Sequence, residues 1–311
     1  MKNYGYLLIL PFLVITLHGC NSGAVEKVSV ESSSEGLTIS HAKGETTLTD
    51  YPEKVAALSV FHTDYLAALD ITPSAAVTYD QDGHTHLPYL SHELEDVNQL
   101  GTQSNPDIER LMSSAPDIIL GEKEHESHYD TLEKVAPTVI LGKTDNWRTY
   151  LNQIAAIVGR ETKAEAVIAQ YDQKADEVRH KLETKMGNES IIFMRVRAKE
   201  LRVYGAQWNV GDVLYKDLAL KAATCVPMDD WAQSVSFEIL PECNPDHIIL
   251  QVDDDEKAYK KIEELKKSKI WANLKAVQNG HIYPVEHWFI MSGPLSNMAK
   301  LESIEKMMED L

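Results

Sequence analysis

The sequence predicts an α/β protein of two similar lobes, each with a central, mainly parallel sheet, joined by one long α-helix. Three observations carry this. Short apolar runs alternate with helix-like segments along most of the 311 residues, as strands buried on both faces and covered by crossover helices would. One local pattern occurs twice: Glu109 stands seven residues before Pro116 in ERLMSSAPDIIL, and Glu238 seven before Pro245 in EILPECNPDHIIL. In both, an acidic residue opens an apparent helix and Pro-Asp introduces an apolar strand, which reads as one unit used twice. Between the two copies lies a long stretch of helical periodicity and no strand signal.

The elements follow in chain order. MKNYGYLLILPFLVITLHGC has Lys2, an apolar run from Tyr6 to Leu17, then Gly19 and Cys20. The run is too short to span a membrane and has the proportions of an export signal over residues 1–19. Its end resembles a bacterial lipobox, so Cys20 is the expected lipidation site and would hold the mature protein on a membrane. Residues 20–48, rich in Ser, Glu and Gly, read as a lipid-anchored flexible tether. In the first lobe, residues 49–145, VAALSV from Val55, AAVTY from Ala75, APDIIL and PTVIL read as strands, and TDYLAALD from Thr63 as a short helix.

Residues 146–187 form the linker. Trp147, Leu151, Ile154 and Val158 mark one amphipathic helix. After Gly159, Thr162 and Glu165 make a capping-box pattern. Ala164, Val167, Ile168, Tyr171, Ala175, Val178 and Leu182 then trace one face of a second helix. From Thr162 to Lys185 this helix would run roughly 36 Å, enough to join two lobes. The second lobe, residues 188–311, opens on the strand IIFMRV and includes HIYPV. Cys225 and Cys243 could pair, but sequence does not establish the approach that a disulfide needs.

Thirty Lys and Arg against 48 Asp and Glu give a formal charge of -18, which argues against nucleic acid as a partner. Against this background FMRVRAKELRVYG is a dense basic knot. Arg195 and Arg197 alternate on one side of an extended chain, at the carboxyl end of a strand, where α/β sheets bind ligands. Guanidinium groups there can donate paired hydrogen bonds to carboxylate or catecholate oxygens. Arg202 lies past the AKE turn and joins the candidates; Lys199 reads as a solvated turn residue. Tyr204, Trp208 and Trp288, all in post-strand loops, are the aromatic candidates, whereas Trp147, Trp231 and Trp271 read as core. His62, His84, His86, Lys123, His125 and His128 fall in first-lobe loops, and Lys123 and His84 are added to the anion site. GxxxxGK[ST], GxSxG and HExxH are all missing from the chain, so no enzyme is expected.

Taken together, LGTQSNPDIERLMSSAPDIIL, KVAPTVIL, the long helix, SVSFEILPECNPDHIIL, WANLKAVQNGHIYPVEHW and GPLSNMAKLESIEKM resemble the iron-siderophore substrate-binding lipoproteins of bacterial ABC importers. The resemblance spans nearly all of residues 50–310 and is carried by the order of the motifs. It implies two lobes on a single rigid helix, a ligand in the cleft between them, and modest closure. In the family's binders of anionic ferric complexes a basic pair or triad meets the ligand where RVR stands here. The resemblance further implies that Glu109 and Glu238 dock on the arginines of a membrane permease, one per lobe. The expected protein is a monomeric receptor on the outer face of the bacterial cytoplasmic membrane. It would bind an anionic Fe(III)-siderophore, citrate-based or catecholate, and deliver it to a permease with its ATPase. No cofactor and no direct protein ligand to the iron are expected. Haem is the alternative ligand, and a bare transition-metal ion a more distant one.

Overall fold

A computed structural model describes residues 28–34, 36–142, 144 and 146–309. The predicted export segment and Cys20 lie outside these residues.

Residues 29–34 and 36–48 are folded, which corrects that part of the tether expected over 20–48. They form an antiparallel sheet of β1 (Ser29–Ser33), β2 (Gly36–His41) and β3 (Gly44–Leu48). Leu37, Ile39 and His41 of β2 alternate inward and are buried, a period of two that a Ser- and Glu-rich composition obscures. The Ile140 N–H donates to His41 Nδ1 at 3.2 Å, and the Thr46 hydroxyl donates to the Thr138 carbonyl at 3.1 Å. Both bonds fasten this sheet to the edge of the first lobe.

The first lobe is built on five parallel strands, β4 (Val55–Ala57), β5 (Ala75–Ala76), β6 (Asn98–Gln99), β7 (Ile118–Glu122) and β8 (Thr138–Leu141), in the order β6-β5-β4-β7-β8. Val55, Ala56 and Ala57 are wholly buried, as an unbroken apolar run between two helical layers requires. Helices α1 (Val60–Ala68), α2 (Ile108–Ser113) and α3 (Tyr129–Leu132) belong to this lobe. Ser59 caps α1 by accepting the Phe61 N–H at 3.3 Å, so the helix begins before the predicted Thr63.

The linker is a pair of helices, α4 (Trp147–Val158) and α5 (Glu161–Met186). Gly159, at φ 65°, ends α4 in the left-handed region that glycine enters without strain. The chain turns so tightly there that Arg160 is the N-cap of α5, with no side-chain cap. Thr162 is already inside the helix, so the predicted capping box does not form. The 26 residues of α5 run about 39 Å, with Ala164, Tyr171, Ala175, Val178 and Leu182 on the buried face.

The second lobe has a mixed sheet. Strands β9 (Ser190–Val196), β11 (Lys221–Ala222), β13 (His247–Val252) and β14 (Ile282–Val285) are parallel, while β10 (Leu201–Tyr204) and β12 (Ala232–Val235) add an antiparallel edge. The path is β12-β10-β9-β13-β14. Helices α6 (Leu240–Cys243), α7 (Glu256–Lys266), α8 (Lys269–Ala272) and α9 (Lys275–Gln278) pack around a core that includes Ile192, Met194, Leu250 and Trp271. Cys225 and Cys243 are joined as a disulfide.

The internal repeat has a geometric counterpart. Ala115 and Asn244, the residues before the two prolines, both have positive φ, 45° and 34°. The aspartates that follow do the same work. Asp117 accepts the Glu53 and Lys54 N–H groups at 2.9 and 2.8 Å, at the entry to β4, and Asp246 accepts the Ser190 N–H and hydroxyl at 2.9 and 2.7 Å, at the entry to β9. Only the helical openings differ: Glu109 sits in the first turn of α2, whereas Glu238 lies in a 3₁₀ turn, Phe237–Ile239, ahead of α6.

The last helix, α10 (Pro294–Met307), returns to pack on α1, α4 and α5. Its start is held from the first lobe. The buried Asp64 carboxylate of α1 accepts the Leu295 and Ser296 N–H groups at 2.8 and 2.9 Å and the Tyr89 hydroxyl at 2.8 Å. Gly293 permits this approach, since any Cβ there would collide with that carboxylate. Tyr65 adds a 2.7 Å bond to the Ser292 carbonyl.

Candidate functional site

The carboxyl ends of the two sheets face a common cleft, and the loops that follow the strands supply its walls. A cavity of about 330 Å³ opens there, at the lower end of the range for small-molecule sites. Phe61, Tyr65, Gln103, Glu122, Trp147 and Tyr150 line it from the first lobe and linker, Trp208 and Ser292 from the second. Its tyrosines are fixed: Tyr150 bonds His62 Nε2 at 2.9 Å, while His62 Nδ1 bonds the Leu120 carbonyl at 3.2 Å. Burial first, and His125 second, push the His62 imidazole down to about 3, so it is a neutral strut and not a cation.

The basic knot lies on the β9–β10 hairpin. Register places Arg202 directly opposite Arg195, which settles the side that Arg202 takes. Two carboxylates hold the three guanidinium groups. Asp253, the residue after β13, accepts from Arg195 Nε at 2.6 Å and stands 3.5 Å from Arg197 Nε. Glu200 accepts from Arg197 Nη1 at 2.6 Å, and also from Arg202 and the Ser234 hydroxyl. These partners, Ser234 foremost, hold the Glu200 carboxyl at about 2. Within this cluster three positive charges meet two negative ones. Each Arg has five N–H donors in a fixed fork; Arg195 spends one on Asp253 and one on the Tyr204 hydroxyl at 3.4 Å. None of the three arginines is among the residues lining the 330 Å³ cavity.

The aromatic candidates divide. Tyr204 is buried and orients Arg195. Trp208 lines the cavity from a left-handed backbone at φ 74°. Gly205 allows the preceding turn, because a Cβ there would strike the Pro227 and Asp230 carbonyls. Trp231, expected in the core, is 41% exposed, edge-on to Trp208 and Tyr204, with the Arg202 guanidinium 5.0 Å above its ring. It belongs to the basic patch as a cation–π partner. Trp147 is buried as predicted yet also forms cavity wall. Trp271 is core. Trp288 is half-buried against Tyr89 and Phe289.

Across the cleft the lobes already touch. The Tyr79 hydroxyl and His287 Nδ1 are 3.1 Å apart, and the His287 N–H donates to Asp82 at 2.6 Å. Burial first, then Arg195, push the His287 imidazole down to about 4. His84 does not fit the anion site predicted for it. It borders a second cavity with Asp80, Asp82 and Asp254, and Glu286 is 3.9 Å away; this acidic neighbourhood disfavours an anion. Lys123 is exposed in the turn after β7, beside Glu122 and Glu124, and is not among the cavity-lining residues. Glu109 and Glu238 are both exposed.

Sequence reasoning missed Asp253, Glu200, His287, Tyr79 and Trp231. Asp253 and His287 could have been found by the rule that found Arg195, since both follow parallel strands. Glu200 could not, because its role depends on the pairing of β10 with β9.

Two α/β lobes, a ligand-sized cleft at the carboxyl ends of their sheets and an unbroken helix behind them define a two-lobed solute receptor. Residues 55–286 match the periplasmic binding protein family, and the chain belongs to it. It is 29% identical over 293 residues to the iron-uptake system-binding protein of Bacillus subtilis (strain 168), covering 91% of this chain and 90% of that one. To the iron(3+)-hydroxamate-binding protein FhuD of the same organism it is 27% identical over 318 residues, 97% and 96% of the two chains. The crystal structure of the triscatecholate siderophore-binding protein FeuA from Bacillus subtilis, complexed with ferri-bacillibactin, matches with a TM-score of 0.71 at 27% identity, covering 88% of this chain and 98% of that one.

Proposed function

We propose that this protein is an extracytoplasmic receptor that takes a ferric siderophore into the inter-lobe cleft and delivers it to an ABC permease. The observation that carries the reading is the buttressed triad of Arg195, Arg197 and Arg202, whose guanidinium groups are held in place by Asp253 and Glu200 with donors to spare. Such a patch suits an anionic complex of the citrate-based or catecholate kind, each charge-assisted hydrogen bond contributing about 1.5 to 3 kcal/mol. Trp208, Trp231 and Trp288 supply aromatic faces for the body of the chelate. Iron stays coordinated by the siderophore, and the protein reads the shape and charge of the complex.

The same geometry gives haem little support. No histidine is among the residues lining the 330 Å³ cavity, and its Tyr65 and Tyr150 hydroxyls are already engaged, so a free axial ligand is missing there among the described residues. Exposure of Glu109 and Glu238 supports their role in permease docking, one on each lobe. Lipidation at Cys20 and a monomeric state complete the proposal. The relatives that it resembles are binding proteins, and this function needs no covalent chemistry.

The test is a tryptophan-fluorescence titration of the chain from residue 21 with ferric citrate, a ferric catecholate, a ferric hydroxamate, haem and Zn²⁺. Saturable quenching by an anionic ferric complex, and weaker binding of its iron-free form, is the expected result. Preferential binding of haem, or of Zn²⁺ in a way that survives His281→Ala and Glu189→Gln, would overturn the proposal.

A further inference from the structure

We propose that Glu189, His247 and His281 form a binding site for a divalent transition-metal ion of the zinc class, at the end of the second lobe opposite the cleft. This inference is independent of what the cleft binds.

The sheet itself brings the three residues together. Register pairs His247 with Ile191 and Ile248 with Ile282, so His247 at the start of β13 stands beside His281, just ahead of β14. Glu189 immediately precedes β9 on the other flank of β13. All three therefore lie at the amino ends of adjacent parallel strands, and one donor atom from each falls within 4.8 Å of those of the other two. Among the described residues no other group of three His, Cys, Asp or Glu side chains converges in this way.

Hydrogen bonding leaves the metal-facing atoms identifiable. His247 Nδ1 is 3.1 Å from the Tyr283 hydroxyl, and His281 Nδ1 is 3.2 Å from the Asp246 carbonyl. Oxygen partners on Nδ1 fix the ring orientation and tautomer of metal-ligating histidines. Here they leave Nε2 of each ring for the ion. His247 Nε2 already faces Glu189 Oε2 at 2.7 Å. The rings are stacked, with centroids 4.5 Å apart and planes 5° from parallel. Tetrahedral coordination at about 2.0–2.1 Å brings two nitrogens to ~3.3 Å, so one ring must turn. His281 is only half-buried and the Glu189 side chain is 44% exposed, which gives both room to close on the wholly buried His247.

Two imidazoles and one carboxylate are a borderline donor set, suited to Zn²⁺ and its neighbours and unsuited to the hard Mg²⁺ or Ca²⁺. Three protein ligands leave one position for water. Lys221 and Lys275 lie beside the cluster, but the first is bound to the Asn188 carbonyl and the second to Asp246. Bound metal would tie the entries of β9, β13 and β14 together without touching the cleft.

The experiment titrates full-length protein in detergent with Co²⁺, read by its visible d–d absorption, then displaces it with Zn²⁺. One equivalent of low-symmetry Co²⁺, displaced by Zn²⁺ and weakened about tenfold or more in both His281→Ala and Glu189→Gln, is the expected outcome. His92→Ala, altering a histidine exposed elsewhere, leaves binding unchanged. Both test residues lie outside the core, so circular dichroism should show native folding. The proposal is overturned if Co²⁺ does not bind, if binding survives both substitutions, or if it is lost equally in His92→Ala. In each case Glu189 and His247 are an ordinary buried-histidine pair.

Discussion

Replacing Arg195 by Ala tests the cleft most directly, and its partner Asp253 makes the result interpretable. In the intact protein Asp253 spends its carboxylate on Arg195 and, more distantly, on Arg197. On the proposed reading Arg195→Ala does two things: it removes donors from the ligand, and it leaves a poorly compensated negative charge beside them. Loss of one charge-assisted contact amounts to about 1.5 to 3 kcal/mol, a fall in affinity of roughly 10- to 100-fold, since about 1.4 kcal/mol is a factor of ten. The freed Asp253 adds repulsion to this. Asp253→Asn alone should strengthen binding of an anionic ferric complex, and Arg195→Ala/Asp253→Asn should recover part of the loss. The coupling is read from fluorescence titrations of all four proteins. If Arg195→Ala leaves affinity unchanged, or Asp253→Asn weakens binding as much, the triad is a structural ion-pair network and the ligand assignment falls.

Three further outcomes follow from the fold. His62 and His287 are neutral when folded, held at about 3 and about 4, and take up protons on unfolding below about 6.5. The unfolded chain then binds more protons, so stability falls as pH drops from about 6.5 towards 4, by about 1.4 kcal/mol per pH unit per group. Asp64, whose carboxyl burial pushes up, opposes this at the acid end. Urea midpoints across that range measure the slope, which should lessen in His287→Gln; an unchanged slope would refute the assignment. Breaking the Cys225–Cys243 link by a double Ser substitution should cost about 3 kcal/mol for a loop of this length, seen as a lower urea midpoint, and should leave ligand affinity nearly unaltered. Asp64→Ala strips three buried donors of their acceptor and should cost more than about 3 kcal/mol. A thermal midpoint near that of the unaltered protein would show that α10 is held by packing alone.

What could be read from the sequence was local or periodic. VAALSV, PTVIL and IIFMRV are unbroken apolar runs, and burial on both sheet faces leaves no other composition possible. The long helix was visible in the spacing from Ala164 to Leu182, and the likeness of the lobes in a shared glutamate offset. Arg195 and Arg197 stood out because alternation on a strand fixes their side without tertiary knowledge. What was lost depended on partners distant in sequence. The segment of β1 to β3 looked like tether because only β2 buries alternate residues, β1 and β3 are largely exposed, and part of the fastening comes from Thr138 and Ile140. Trp231 looked like core because nothing nearby announces Arg202 above its ring. His84 looked like an anion ligand until Asp80, Asp82, Asp254 and Glu286 were gathered around it. Glu200, which with Asp253 offsets the arginine charge, acts only through strand pairing.

The capping of α10 by Asp64 also imposes an order on assembly. The carboxylate and the N–H groups that it accepts are separated by 231 and 232 positions, nearly the full span of the fold. A chain delivered from its amino end presents α1 long before Leu295 and Ser296 arrive. The clasp therefore forms only once Leu295 and Ser296 have been delivered, and a chain cut short before Gly293 lacks it altogether.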